Sequence, residues 1–181
     1  MTVRDRSRAF FADVSLDPVL RMGVGAYLVI PSVLLKSSSC LIEQSELPGR
    51  PVLRRFTCTS STTLELQTVL WAREEHRSRT TAPGTEKLQV YSDSQCIAGL
   101  LKRRTALTSR CFRSGKTARL LRQASLYRRY YDLHDKLDFE VIKLKGQTNL
   151  GTRDAVLEVF FSLDKYVRKA LRRWMHELRT A

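Results

Sequence analysis

The chain has 181 residues, 43% of them hydrophobic, which is enough apolar material for one full core and excludes a disordered tail. Thirty-two Lys and Arg against 18 Asp and Glu give a net charge of +14, a field that attracts polyanions: nucleic acid first, an acidic membrane or ribosomal surface as the alternative. The longest apolar stretch, Val24 to Leu35, is too short to span a membrane and is broken by Pro31; Arg4, Arg6 and Arg8 belong to no signal-peptide pattern. The expected location is therefore the cytoplasm, with no membrane and no obligate protein partner.

Ala9 to Ser15 (AFFADVS) is nearly all apolar, as a central strand should be. After a turn at Asp17-Pro18, Gly23 to Ile30 reads as a second strand that Pro31 ends, and Val52 to Thr59 as a third. Their short links predict an antiparallel meander. The period then changes. Ser60 to Thr63 supplies several N-cap residues for a helix running to about Arg79, with Leu66, Val69, Leu70 and Ala72 on its apolar side. Leu88 to Ser92 is a fourth strand, and Ser94 caps a helix through Leu101.

From Ile97 to Tyr131 the chain carries ten Lys or Arg and no acid, a basic helical insert at about 102–136. Arg119, Arg122, Arg128 and Arg129 are expected on one helix with Tyr127, Tyr130 and Tyr131; the alternative is an amphipathic helix whose tyrosines pack on the core. Phe139 to Leu144 is a fifth strand. Val156, Phe160, Leu163, Val167, Ala170, Leu171, Trp174 and Leu178 then form one apolar stripe at helical spacing, with Asp154 and Ser162 both credible caps. No linker is long enough to divide residues 1–181 into two domains. The four cysteines, Cys40, Cys58, Cys96 and Cys111, include no C-x-x-C pair, so neither a zinc site nor a disulfide framework is expected.

Four acids stand where a neutral residue would be easier to accommodate. Asp13 interrupts an apolar strand, where Asp is depleted. Asp93 ends the fourth strand, Glu65 shares a helix face with Val69 and Ala72, and Asp164 is flanked by Phe160, Val167 and Leu171. A buried carboxylate without a partner costs several kcal/mol, and converging carboxylates suit a hard, oxygen-seeking divalent ion such as Mg²⁺ or Mn²⁺. Three of the acids also have a plainer reading, Asp93-Ser94 as strand end and cap, Glu65 as a surface acid and Asp164 as the i,i+4 partner of Arg168, while Asp13 is harder to dismiss.

Taken in order, these segments resemble the ribonuclease H family. FFADVS followed by GVGAYLV looks like its Asp-bearing first strand and Gly-containing second strand. SSTTLELQTVLWA looks like its Glu-bearing helix, LQVYSDSQCIAGLL like its strand–helix junction with Ser92 in place of Thr, and SLDKYVRKALRR like its final Asp and helix. FEVIKLKGQ resembles its fifth strand and Lys-Gly ending, with Gln147 where the family often has His. The resemblance spans Phe10 to Arg173.

It implies an α/β fold with a five-stranded mixed sheet, β1–β3 antiparallel and β4 and β5 parallel, flanked by helices. It implies a metal-dependent endonuclease that hydrolyses the RNA strand of RNA–DNA hybrids, with Mg²⁺, or Mn²⁺ in its place, on Asp13, Glu65, Asp93 and Asp164. Asp13 would bridge two ions, Glu65 and Asp93 would serve the leaving-group side, and Asp164 the nucleophile side; Asp154 competes for the fourth place. Ser15, Gln67, Ser94, Lys116, Arg119, Arg122, Arg128, Arg129 and Lys145 are the expected nucleic-acid contacts. The alternatives are a related nuclease acting on DNA, resolvase-like, or a degenerate domain that only binds nucleic acid.

Overall fold

The computed structural model describes residues 7–35, 47–79, 88–144 and 154–180. Strands β1 (Arg8–Asp17), β2 (Met22–Pro31) and β3 (Val52–Phe56) form the antiparallel meander, and β4 (Leu88–Ser92) and β5 (Phe139–Lys143) extend the sheet in parallel, in the order β3-β2-β1-β4-β5. The expected five-stranded mixed sheet is thus observed. β3 stops three residues earlier than expected. Cys58 takes a positive φ and Thr59 donates its backbone N–H to Arg21, which turns the chain off the sheet edge.

Side-chain alternation along β1 builds a core on each face. Phe10 and Ala12, with Tyr27 of β2, face α1 (Ser61–Arg79) and α4 (Ala124–Leu137). Ala9 and Phe11, with Ala26 and Leu28, face α5 (Ala155–Thr180). α1 lies unusually close to β2, because a Cβ on Gly25 would stand 2.0 Å from Thr68 Oγ1. Glycine at that position sets the approach of the helix that carries Glu65.

The helix expected from Ser94 to Leu101 is broken at Gly99 into α2 (Gln95–Ala98) and α3 (Leu100–Ser109). α4 starts at Ala124, so Arg119 and Arg122 lie in the preceding loop and not on the helix expected for them. Tyr127, Tyr130 and Tyr131 are buried, Tyr130 completely, as the core-packing alternative requires. Asp154 caps α5 by accepting from the Leu157 N–H at 2.9 Å, which decides the start of that helix. The α5 stripe also differs at its end. Leu178 is 50% exposed and Met175 takes the buried place. Cys58, Cys96 and Cys111 are free thiols, while Cys40 lies outside the described residues. No described helix is long and apolar enough to cross a membrane.

Candidate active site

β1 and β4 pair only from Arg8↔Leu88 to Phe11↔Tyr91. Beyond that point β1 continues to Asp17 beside β2, while β4 ends at Ser92 beside β5. The sheet therefore splits between its two central strands, at the place where the strand order reverses. In open α/β sheets a crevice at the carboxyl ends of strands at such a switch point is the usual ligand site. Here a narrow cleft is lined by Asp13 of β1, Glu65 and Thr68 of α1, and Ser92 and Asp93 at the end of β4.

Asp13 is 8% exposed, and its Oδ2 is buried with no hydrogen-bond partner among the described residues. Its pKa is pushed up to about 8, chiefly by burial and further by Asp164 and Asp93; the Val14 backbone N–H and the charge of Arg168 pull the other way. Asp93 stands at the mouth of the cleft. Its pKa is also raised, first by partial burial and then by Asp164, against its own backbone N–H and Lys143. The mutual effect of Asp13, Asp93 and Asp164 places all three within one electrostatic neighbourhood.

Glu65 is held at both oxygens. Ser94 Oγ donates to Oε2 at 2.5 Å and Ser61 Oγ to Oε1 at 3.3 Å. Ser94 in turn caps α2 by accepting from the Ile97 N–H at 3.2 Å. One hydroxyl therefore ties the Glu65 helix to the Asp93 junction, using its donor on one and its acceptor on the other. Asp164 Oδ1 accepts from Arg168 Nε at 2.6 Å, the i,i+4 pair read from the sequence. Asp154 is engaged as a cap. Among the described residues no three His, Cys, Asp or Glu side chains meet the spacing of a metal-ligand cluster as they stand.

The expected nucleic-acid residues are dispersed. Ser15 is half-buried on β1, two residues beyond Asp13. Gln67 Oε1 accepts from Thr59 Oγ1 at 3.0 Å, and the Ser94 hydroxyl is engaged as above. Lys116, Arg119 and Arg122 are exposed in the α3–α4 loop. Arg128 is exposed with its guanidinium 4.9 Å above the Phe112 ring, and Arg129 is paired with Glu74 at 2.5 Å. Lys145 and Gln147 lie outside the described residues.

Sequence reasoning missed Thr68, whose Oγ1 is buried without a partner on the cleft wall. Its position three residues after Glu65, hence on the same helix face, was the available signal. It also missed Lys143, which donates to Gln95 Oε1 beside Asp93, and the charge that Arg168 brings toward Asp13.

No protein-family model matches the sequence, and no curated protein sequence matches it. Solved structures do. The foamy viral protease-reverse transcriptase in complex with double-stranded DNA matches with a TM-score of 0.57 at 12% identity, covering 83% of this chain and 89% of that one. The foamy viral protease-reverse transcriptase in complex with an RNA/DNA hybrid matches with a TM-score of 0.57 at 11% identity, covering 81% of this chain and 18% of that one. At these identities the likeness is one of fold. The fold is ribonuclease H-like. Its sheet split brings together acids from β1, α1 and the end of β4.

Proposed function

We propose that this chain is a metal-dependent endonuclease that hydrolyses the RNA strand of RNA–DNA hybrids. The observation that carries the reading is Asp13: a buried carboxylate with one unpartnered oxygen, in a cleft it shares with Glu65 and Asp93. Folding such a group without a compensating charge is unfavourable, and a hard cation is the compensation that fits an all-oxygen donor set. Mg²⁺, or Mn²⁺ in its place, would be held by Asp13, Glu65 and Asp93, with Asp164 joining by exchanging Arg168 for the ion. When bound, such ions acidify the attacking water and neutralise the departing 3′ oxygen.

The chain's own residues prepare that chemistry. Ser94 and Ser61 fix the Glu65 carboxylate from both sides, so little reorganisation is left to it. Lys143 moderates the repulsion felt by Asp93, and Arg168 that felt by Asp13. Ser15, Gln67 and Ser94 lie on the segments around the cleft, where a 2′-OH would be read on the RNA strand; the exposed Lys116, Arg119, Arg122 and Arg128 would contact phosphate. Arg129 and Lys145 belong to the same proposed set, Arg129 only at the expense of Glu74.

One observation favours a second reading. The Asp164–Arg168 pair, and the absence of a ready three-ligand cluster among the described residues, fit a domain that binds nucleic acid without cutting it. A labelled RNA–DNA hybrid, incubated with and without Mg²⁺ beside duplex DNA and a four-way junction, separates them. The proposal expects metal-dependent cleavage of the RNA strand alone. Binding that ignores Mg²⁺, with no cleavage, would leave only the second reading.

A further inference from the structure

On the α5 face, away from the acidic cleft, a second depression opens between residues 47–51 and α5. It is an open groove lined by Leu47, Gly49, Arg50, Pro51, Ser162, Lys165, Tyr166 and Lys169. It continues past Val52, Leu53 and Arg79. No acid is among these lining residues. Arg79 is tied to Glu75, but Arg50, Lys165 and Lys169 have no acidic partner among the described residues. Tyr166 lies 39% exposed among them.

The placement on α5 separates this groove from the cleft. Leu163 and Val167 point into the core. Asp164 and Arg168 lie on one flank of that buried row, toward Asp13, while Ser162, Lys165, Tyr166 and Lys169 line the groove on the other, toward β3. A strand seated in the cleft cannot also lie in the groove without crossing the helix. The two surfaces therefore need separate ligand segments.

We infer that the groove binds single-stranded nucleic acid, its phosphates on Arg50, Lys165 and Lys169 and a base stacked on Tyr166. Lys165 and Lys169 are one helical turn apart, about 6 Å along the axis, a separation comparable to that of successive phosphates on an extended strand. Cations that follow a backbone, with an open aromatic face between them, are the recurring elements of sequence-tolerant single-strand binding. An acidic peptide would use the cations but has no need of the tyrosine. A membrane would need a broad exposed apolar face, and among the residues lining the groove the large exposed apolar side chains are Tyr166 and Leu53 alone.

The test is independent of cleavage. Fluorescence anisotropy of labelled oligo(dT) and oligo(U) is measured in EDTA, across a salt series, on the full chain. K165E/K169E should weaken both oligonucleotides by at least about tenfold and reduce the magnitude of the log–log salt slope by about 1.4, two contacts at ~0.7 each. Y166A should weaken binding about tenfold with the slope unchanged, and Y166F should bind as wild type. All three side chains are exposed, and circular dichroism melting should show the fold retained. Wild-type affinity in K165E/K169E would overturn the inference, as would loss only in an Arg128→Glu control, or binding to anionic phosphatidylserine vesicles in place of the oligonucleotides. Failure of hybrid cleavage leaves these readings intact, so the two proposals fail separately.

Discussion

Asp13 and Arg73 are both buried ionisable side chains, 8% and 5% exposed, and both have a side-chain atom with no hydrogen-bond partner among the described residues. They sit at opposite ends of the sheet. Arg73, on α1, lies with its guanidinium 5.7 Å from the Phe10 ring and 5.0 Å from the Phe139 ring, near the start of β4 and β5. Burial alone lowers its pKa to about 10, so it stays charged at neutral pH. Asp13 instead faces other acids across an open cleft, and burial and their charge act in the same direction. Aromatic faces stabilise the cation at one end through its own environment. For the anion at the other end the Val14 N–H and the charge of Arg168 act in this sense, but burial and the neighbouring acids outweigh them. Buried charge marks a functional site where its surroundings make it worse, and packing where they make it better.

The largest test of that contrast is Asp13→Asn, with Asp93→Asn beside it. Hybrid cleavage in Mg²⁺ should fall by about a thousandfold or more, equivalent to ~4 kcal/mol of transition-state stabilisation, in a gel assay on labelled RNA. Arg73→Met should leave cleavage within about twofold. Near wild-type cleavage by either Asn variant would remove the proposed site.

The next effect is on stability. The folded pKa of Asp13 lies above its unfolded value of 3.8, at about 8. Between those values the native state retains a proton that the unfolded chain has released. In divalent-free buffer this group therefore costs nothing below about pH 4, costs progressively more as pH rises, and levels off above about pH 8. Asp13→Asn should raise urea-unfolding stability at pH 8 by about 2–4 kcal/mol and change it by less than ~1 kcal/mol at pH 4. Equal effects at both pH values would contradict the burial argument. Arg73 should behave oppositely. Arg73→Ala removes a stacked side chain and should destabilise by about 2–3 kcal/mol at either pH, while Arg73→Met, which keeps the volume, should lose no more than ~1 kcal/mol.

The contrast also explains what the sequence could reveal. Strand positions, the α1 helix and the α5 stripe follow from periodicity, because a buried face must repeat with its element. Asp13 was visible for the converse reason, as an acid inside an apolar run. The partners were not visible. The Asp164–Arg168 pair was legible as an i,i+4 spacing within one helix, but that Ser94 holds Glu65 and that β1 and β4 part after Phe11↔Tyr91 depend on spacing across elements, which no local pattern encodes. Arg73 shows the same limit. Its spacing from Leu66, Val69 and Leu70 puts it on the apolar face of α1, but the aromatic partners that accommodate its charge, Phe10 and Phe139, come from other elements. The break at Gly99 falls inside an apolar run that reads as one helix, although the glycine itself was a local signal, and the loop before Ala124 lies in a basic stretch with no apolar period to show where a helix stops.

The smallest predicted effect separates charge that is committed from charge that is available. Arg129 is bonded to Glu74 through Nε at 3.0 Å and Nη2 at 2.5 Å, so its charge is largely answered within the protein. Arg128, its neighbour, has among the described residues only the Phe112 ring and is exposed. If the α3–α4 segment grips a hybrid, Arg128→Glu should weaken binding about threefold to tenfold in EDTA and lower the magnitude of the salt slope by about one. Arg129→Gln should leave the slope unchanged, since an arginine already paired releases few counterions when a phosphate arrives. Equal slopes for both variants would show that proximity to the segment, and not pairing state, governs the contact. The same distinction between unanswered and answered charge would then fail here, on the surface, while still holding for Asp13 and Arg73 in the interior.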